Sequence, residues 1–421
     1  MKVVVVGAGI VGLSTAWSLR RRGCDVVIIS ADPPGTGASG VNAGWVAPAL
    51  SGPVPGPGVL TGSLRWLLNP ASPFYVRPRM SPSFLRWMLE FRARCNARDY
   101  AAGIEVMAAL NRRTMELYDD LRVAGVGFEQ QSSGLVMAFR SRRDHDHELE
   151  GSGWMAASGY PLPVTGLPQD FEPGFSDAVV AAYLLPGERH VDPAVMSVVL
   201  AERLSRDGVE VRRASVSAVT AGRRVAPGSP ASGGDSGPMV TTADGPIRGD
   251  AIVVAAGAWT PLLTRGLGAR VPIIAGKGYG VDFDPAPVRL SRPVYLHEDR
   301  VGVSPYGDHL RLAGTMELTG LDMSVSRRRS GAIASAGPRA FRDWPGDARP
   351  ERVAAGLRPL TPDGLPVIGR LAQAPGVYVA AGHSMLGMTL GPATGEALAA
   401  EICGEPQEVL RPFDPARFGR G

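Results

Sequence analysis

An α/β fold, in which a doubly wound parallel sheet is joined to a second, largely antiparallel β-sheet domain (α+β), is what this 421-residue sequence predicts. Three observations predict it. Val3–Val6 is an unbroken apolar run of the kind buried on both faces in a parallel sheet, and Val26–Ile29 repeats it after a glycine turn and a helical pattern, giving one βαβ unit. Similar runs, Ala251–Ala255 and Val377–Ala381, return in the middle and near the end. Residues 271–316 instead alternate apolar and polar side chains, the period of an antiparallel sheet with two different faces. The chain is also too long for one compact core. The parallel-sheet elements fall in 1–50, 190–265 and 350–421, so the first domain is discontinuous, and 51–189 with 266–349 make up the second.

Taken in order, Leu13–Arg22 is helical and stops before Gly23, and residues 31–60, rich in Pro, Gly and Ser, read as an extended loop. Ser83–Leu121 has helical spacing of large apolar residues and is read as two helices, and Gly134–Phe139 and Val179–Leu185 as strands of the second sheet. A helix over Pro193–Arg206 precedes the strand Val209–Val211. Val216–Val219, Met239–Thr241 and Ile247 form a small antiparallel element whose connection, Gly222–Pro238, is a low-complexity hairpin tip expected to be mobile. The last helix covers Pro392–Ile402.

Composition narrows the class. With 44% hydrophobic and 20% charged residues and a mean hydropathy of +0.02, the chain reads as a soluble globular protein. A net charge of +4 is too small for a nucleic-acid footprint, and the basic runs Arg20–Arg22 and Arg327–Arg329 read as solvated ends. Cys24, Cys95 and Cys403 are widely spaced and odd in number, against a disulfide framework or an iron–sulfur cluster. Asp144-His145-Asp146-His147-Glu148 is read as a solvated loop, and no metal is expected. There is no leader pattern and no spanning apolar run. The expected location is therefore cytoplasmic, with peripheral attachment to the inner face of the membrane left open.

Chemistry enters with Gly7-Ala8-Gly9-Ile10-Val11-Gly12, a G-x-G-x-x-G directly after a strand and opening a helix. Gly7 permits the tight turn, Gly9 lets a pyrophosphate approach the backbone, and Gly12 lets the helix sit on the sheet. The helix N-terminus at Ile10 and Val11 then faces the phosphates, as in a Rossmann-type dinucleotide site. The second strand should close on an acidic residue that binds the ribose. Here the position holds Ser30, with Asp32 two residues on as the alternative. The missing acid leaves room for NADP, but no Arg follows to pair with its phosphate. Two later segments favour FAD. Val253–Val254–Ala255–Ala256–Gly257–Ala258–Trp259 is a strand ending in small residues on which a flavin nucleotide can lie. Gly382-His383-Ser384-Met385-Leu386-Gly387-Met388-Thr389 opens the last helix, where backbone N–H groups can stabilise negative charge on a reduced flavin. His383 is a candidate base, and equally a turn residue beside the flavin.

With those segments, the chain resembles the D-amino acid oxidase/dehydrogenase superfamily of FAD-dependent oxidoreductases, most of all bacterial D-amino acid dehydrogenases. The resemblance is carried by Val3–Leu13, Ser39-Gly40-Val41-Asn42-Ala43-Gly44, Val191-Asp192-Pro193, Val254–Trp259, Lys277-Gly278-Tyr279, Gly314-Thr315, Gly356–Gly369 and Gly382–Gly387, in the family's order. It implies FAD contacts at Ser39, Asn42, Ala43, Gly44, Val216, Ala256, Gly257, Trp259, Gly356 and the Gly382–Thr389 segment. It implies that Arg358 grips the substrate carboxylate over the flavin. A planar guanidinium making two hydrogen bonds fixes the α-carbon against flavin N5 for hydride transfer, giving an imino acid that hydrolyses to a 2-oxo acid. No protein base is required if the amine arrives neutral. Tyr279 is the favoured pocket aromatic, ahead of Tyr295, Tyr306 and His297, with Trp45 and Met385 near the flavin.

Two absences refine the resemblance. The Gly-Gly-Arg segment of monoamine-oxidase-like and L-amino acid oxidases is replaced by Ser39-Gly40-Val41-Asn42, and no cysteine lies near the Arg358 loop, so FAD is expected to be non-covalent. The expected substrate is a D-amino acid or a cyclic imino acid. A glycine- or sarcosine-type oxidase shares the same motifs, and the flavin-bearing subunit of a hetero-oligomeric dehydrogenase is a second alternative. The electron acceptor, whether a quinone, oxygen or another carrier, is left open.

Overall fold

The computed structural model describes residues 1–59, 74–76, 81–222 and 237–419. The hairpin tip expected within Gly222–Pro238 lies mostly outside them. At the centre of the first domain is a six-stranded sheet in the order Glu210–Arg213, Asp25–Ser30, Lys2–Val6, Ala251–Val254, Val377–Ala381 and Val367–Arg370. The first five are parallel and the last runs antiparallel. Val3, Val4 and Val5 are fully buried, Val3 and Val5 against the helices on one face and Val4 against Val219 and Val240 of an antiparallel crossover on the other. The three-stranded antiparallel crossover expected between the second and third sheet segments is present, as Val216–Thr220, Met239–Thr242 and Gly245–Arg248. Every parallel strand ends on the same edge, where ligands bind in open α/β sheets.

The helix Ile10–Arg21 packs on the last helix, Gly387–Ile402, and the two run parallel. A Cβ on Gly391 would meet Ile10 at 3.4 Å, and one on Gly395 would meet the Ser14 backbone at 2.5 Å. Contacts that advance together by four residues require both N-termini to lie at one end.

The second sheet has nine strands, ordered Arg352–Leu360, Ile274–Phe283, His309–Leu318, Val301–Tyr306, Val294–Leu296, Leu135–Phe139, Ala181–Leu185 and Val164–Gly166, with Phe74–Val76 beside His309–Leu318. It is largely antiparallel; among the described residues the pairing is parallel where Leu135–Phe139 meets Val294–Leu296 and where Phe74–Val76 meets His309–Leu318. Arg352–Leu360 belongs here, bonded along its length to Ile274–Phe283, although the sequence grouped residues 350–421 with the first domain. Ser83–Leu121, read as two helices, forms three: Pro82–Arg94, Ala97–Asn111 and Thr114–Val123. Asn96 caps the second through its side chain, so a capping residue inside the pattern divides it. Residues 142–150 are a helix with no buried residue, not a loop.

Candidate active site

The glycine turn is packed as its spacing demands. Gly7 has φ +114°, and a Cβ there would lie 2.5 Å from the Ala255 carbonyl oxygen; a Cβ on Gly12 would lie 2.0 Å from that of Gly7. Gly9 is looser, its nearest neighbour being the Ser39 hydroxyl at 3.2 Å, which leaves the backbone approachable. The Ile10 N–H donates to Ser39 Oγ at 3.0 Å. Val11 and Gly12, in the same first turn, present further N–H groups to the helix start. Neither this helix nor the last one has a side-chain cap or an acidic residue in its first turn. Two positive helix ends thus lie side by side with no carboxylate in either first turn, a setting suited to phosphates and to an anionic flavin. Gly257, with φ +53°, borders open space beside them. These residues fit a flavin dinucleotide.

The loop 38–45 connects this end to the second sheet. Asn42 shapes it: its side-chain amide donates to the Ser39 carbonyl at 2.6 Å and its Oδ1 accepts from Gly44 N at 2.6 Å. The sheet face beneath is made of small residues. A Cβ on Gly280 would lie 2.9 Å from the Val41 carbonyl oxygen, one on Gly356 would lie 2.4 Å from Val41 Cγ2, and one on Gly302 would lie 2.6 Å from the Trp45 ring. Ser304 Oγ accepts from Trp45 Nε1 at 2.8 Å and donates to the Ala43 carbonyl at 2.8 Å, and Tyr306 donates to that same carbonyl. Arg311 fastens the arrangement. It forms a two-point pair with Asp282, at 2.6 and 3.1 Å, and donates to the Gly40 and Asn42 carbonyls. Sequence reasoning missed this residue, because nothing local marks a cation whose partner is 29 residues away.

Arg358 lies on that same face, two residues from Gly356 on its strand. Its guanidinium lies over Gly278, where a Cβ would be 2.4 Å from Cζ and from both terminal nitrogens. Its Nη1 donates to the Thr315 carbonyl. Among the described residues no carboxylate pairs with it, whereas nearby Lys277, Arg311 and Arg329 each face one. Burial pushes its pKa from 12.5 down to about 10; the nearby Tyr295 opposes the shift and Arg329 adds to it. At neutral pH the group therefore remains a cation, insufficiently solvated and open to an anion. Backbone strain flanks it: Thr315 has φ +55°, and Ser384, whose N–H donates to Pro359 O at 2.9 Å, has φ +51°. Such outliers collect at functional sites.

Other expected residues fall differently. Tyr279 alternates away from Arg358 onto the opposite sheet face, is 1% exposed, and bonds Glu317 beside Lys277. The period of two sends neighbours of Gly278 to the other side, so the pocket role expected of it is not supported by its position. Tyr295, opposite Gly302, is on the Arg358 face and meets Trp45 edge-on at 5.8 Å. His297 is stacked on Phe139 in the interior. His383 is buried, shares a hydrogen bond with Thr394 Oγ1 at 3.0 Å, and is pushed by burial down to about 3. It fixes the turn to the last helix and is ill placed to act as a base. Thr389 bonds the Trp45–Ala47 backbone and Met388 is buried, so only their backbone N–H groups remain at the helix start, with Leu386 as the residue before it and Gly387 as its first. Met385 and Trp259 are exposed, Val216 is half-buried, and Ser30 donates to the Asp32 carbonyl at 2.8 Å, leaving its lone pairs free to accept.

Comparison with known proteins agrees with this geometry. The family described as FAD dependent oxidoreductase (DAO) matches residues 2–401. The chain is 31% identical over 418 residues to a D-amino acid dehydrogenase of Rhizorhabdus wittichii, covering 96% of this chain and 97% of that protein. It is 30% identical to one of Granulibacter bethesdensis, covering 97% of each. Among solved structures, glycine oxidase from Geobacillus kaustophilus superposes with a TM-score of 0.76 at 22% identity, covering 99% of this chain and 98% of that one. Iminodiacetate oxidase from a Chelativorans species does so with 0.72 at 24%, covering 98% of each. At those identities the superpositions establish the fold.

Proposed function

This chain belongs to the FAD-dependent oxidoreductase (DAO) family, and on that premise we propose that it oxidises the carbon–nitrogen bond of a small D-amino acid held by its carboxylate at Arg358. The observation that carries the reading is Arg358 itself, a deeply placed guanidinium with no carboxylate partner among the described residues, laid flat over Gly278. A carboxylate accepting both terminal nitrogens would relieve its desolvation and fix the α-carbon in angle and distance. FAD, when bound, supplies the two-electron oxidant. The glycine turn and the two helix starts are the residues that would hold it, and Trp45 and Tyr295 border the space beside Arg358.

The substrate amine must be neutral for its lone pair to assist oxidation, and among the described residues His383 and Tyr279, the candidates for a base, are not placed to make it so. His383 is engaged with Thr394 and Tyr279 faces away. The ammonium proton therefore goes to solvent before the productive complex forms. The product is an imino acid that hydrolyses to a 2-oxo acid, and the electrons pass to a separate acceptor.

The test is a substrate screen without oxygen, following bleaching of the flavin in the purified holoprotein. D-amino acids should bleach it at least tenfold faster than their L-enantiomers and than amines of equal size lacking the carboxylate. Equal rates with simple amines would overturn the clamp, and bleaching by glycine or sarcosine alone would move the assignment to that substrate class. Turnover of the single chain with an artificial dye would show that no partner subunit is needed for the chemistry.

A further inference from the structure

The two helices whose N-termini meet at the candidate cofactor site also end together. Cys24 follows the first of them, joining it to the strand Asp25–Ser30, and Cys403 is the C-cap of the last helix. Their Sγ atoms lie 3.7 Å apart, although 379 residues separate them in the chain. Cys24 is 3% exposed and Cys403 is exposed, so one thiol is sheltered and its neighbour accessible. Cys95, the remaining cysteine, donates to the Phe91 carbonyl and has no thiol partner.

We propose that Cys24 and Cys403 form a dithiol modification site that reacts with small disulfides and closes into an intramolecular disulfide. The order follows from exposure. Cys403, as its thiolate, attacks one sulfur of a small disulfide; that bond breaks and one small thiol leaves, taking up the proton Cys403 lost. Cys24 then attacks Cys403 Sγ, its proton goes to solvent, and the second small thiolate leaves and is protonated. In sum, two protein thiols are oxidised and the small disulfide is reduced to two thiols. Burial, with further contributions from Cys403, pushes the Cys24 thiol up to about 11, which keeps it from reacting first.

The consequence is mechanical. The bond would close a loop of nearly the whole chain and staple the far end of the helix pair whose near end faces the cofactor. Cross-links across long loops restrict the unfolded chain most. Oxidation is therefore expected to raise Tm by roughly 5–10 °C and to slow FAD release on heating.

Reduced holoprotein would be incubated with oxidised glutathione, alkylated and digested. The expected result is loss of two hydrogens from the intact mass, a cross-linked Cys24–Cys403 peptide, and Cys95 still open to alkylation. Cys24→Ala should instead accumulate one stable glutathione adduct on Cys403, and Cys403→Ala should take up none at Cys24. Wild type that keeps a glutathione adduct on Cys403 without cross-linking, or leaves both thiols alkylatable, would overturn the site. A cross-linked protein with unchanged Tm and FAD release would overturn the staple.

Discussion

Arg311 and Arg358 lie on one face of one sheet, the first buried and the second half-buried, yet their surroundings are opposite. Arg311 is neutralised by Asp282 and spends its remaining hydrogen bonds on the carbonyls of Gly40 and Asn42, so it holds a loop. Arg358 meets a single carbonyl, that of Thr315, and keeps its charge uncompensated. The residue type and the sheet face are shared; the counter-charge differs. A cation that already has its carboxylate is architecture, and one without is available to a ligand.

Exchanging the two roles by mutation should break this contrast. Arg311→Met leaves the buried Asp282 without its two-point partner and with only His309 beside it at 3.5 Å, which costs about 3–5 kcal/mol of stability. A lowered Tm and weakened flavin retention would show it, and unchanged Tm would mean that the pair is not structural. Arg358→Met should leave Tm and FAD content near wild type while lowering kcat/KM for a carboxylate-bearing substrate by tens to thousands-fold, the equivalent of about 2–5 kcal/mol. Arg358→Lys should recover only part, since a point charge cannot reproduce the planar fork.

Acid sharpens the contrast. Burial alone would raise the Asp282 carboxyl, but hydrogen bonds from His309 and Arg311, with the charge of Arg311, draw it from 3.8 down to about 2. A carboxyl depressed in the folded state contributes stability that is complete above its unfolded pKa and is lost as pH falls through the folded value. In Arg311→Met burial is no longer opposed by Arg311, so the Asp282 carboxyl rises, and the stability difference from wild type should narrow as pH falls through the variant's raised folded pKa toward about 2. Chemical denaturation at a series of pH values would measure it; a gap that does not narrow would assign the stabilisation elsewhere.

Smaller effects test the platform. Gly278→Ala sets a Cβ 2.4 Å from the Arg358 guanidinium, and that group, at the end of a flexible side chain, can move aside. The fold should tolerate the change while KM rises about tenfold, because a clamp displaced by even 1 Å misplaces the reacting carbon. An unaltered KM would show that the flat seat is dispensable. Smallest of all is Tyr279→Phe. Loss of its bond to Glu317 should cost about 1 kcal/mol of stability and leave kcat/KM within about threefold. A larger kinetic loss would return Tyr279 to the pocket.

What could be read from the chain was whatever rests on local backbone geometry or on neighbours in sequence. The turn Gly7–Gly12 is such a case: its glycines are required by contacts with Ala255 and with one another, and the βαβ unit around it follows from two apolar runs. Arg358 was singled out through the resemblance that the Gly356–Gly369 segment carries. The sequence also places small residues in alternation at Gly276, Gly278 and Gly280, but it does not say which sheet face the loop 38–45 covers. That choice turned Tyr279 away and brought Tyr295 in. Other packing between distant segments enclosed His383, gave Arg311 its Asp282, and set Cys24 against Cys403 across 379 residues. Local periodicity fixes that adjacent side chains point to opposite faces, whereas the identity of the buried face, and the counter-charge each buried cation finds there, depend on packing between segments far apart in the chain. The glycine turn of the nucleotide-binding unit was therefore legible in the sequence alone; that Arg311 has a carboxylate partner and Arg358, among the described residues, has none was decided only by the tertiary structure.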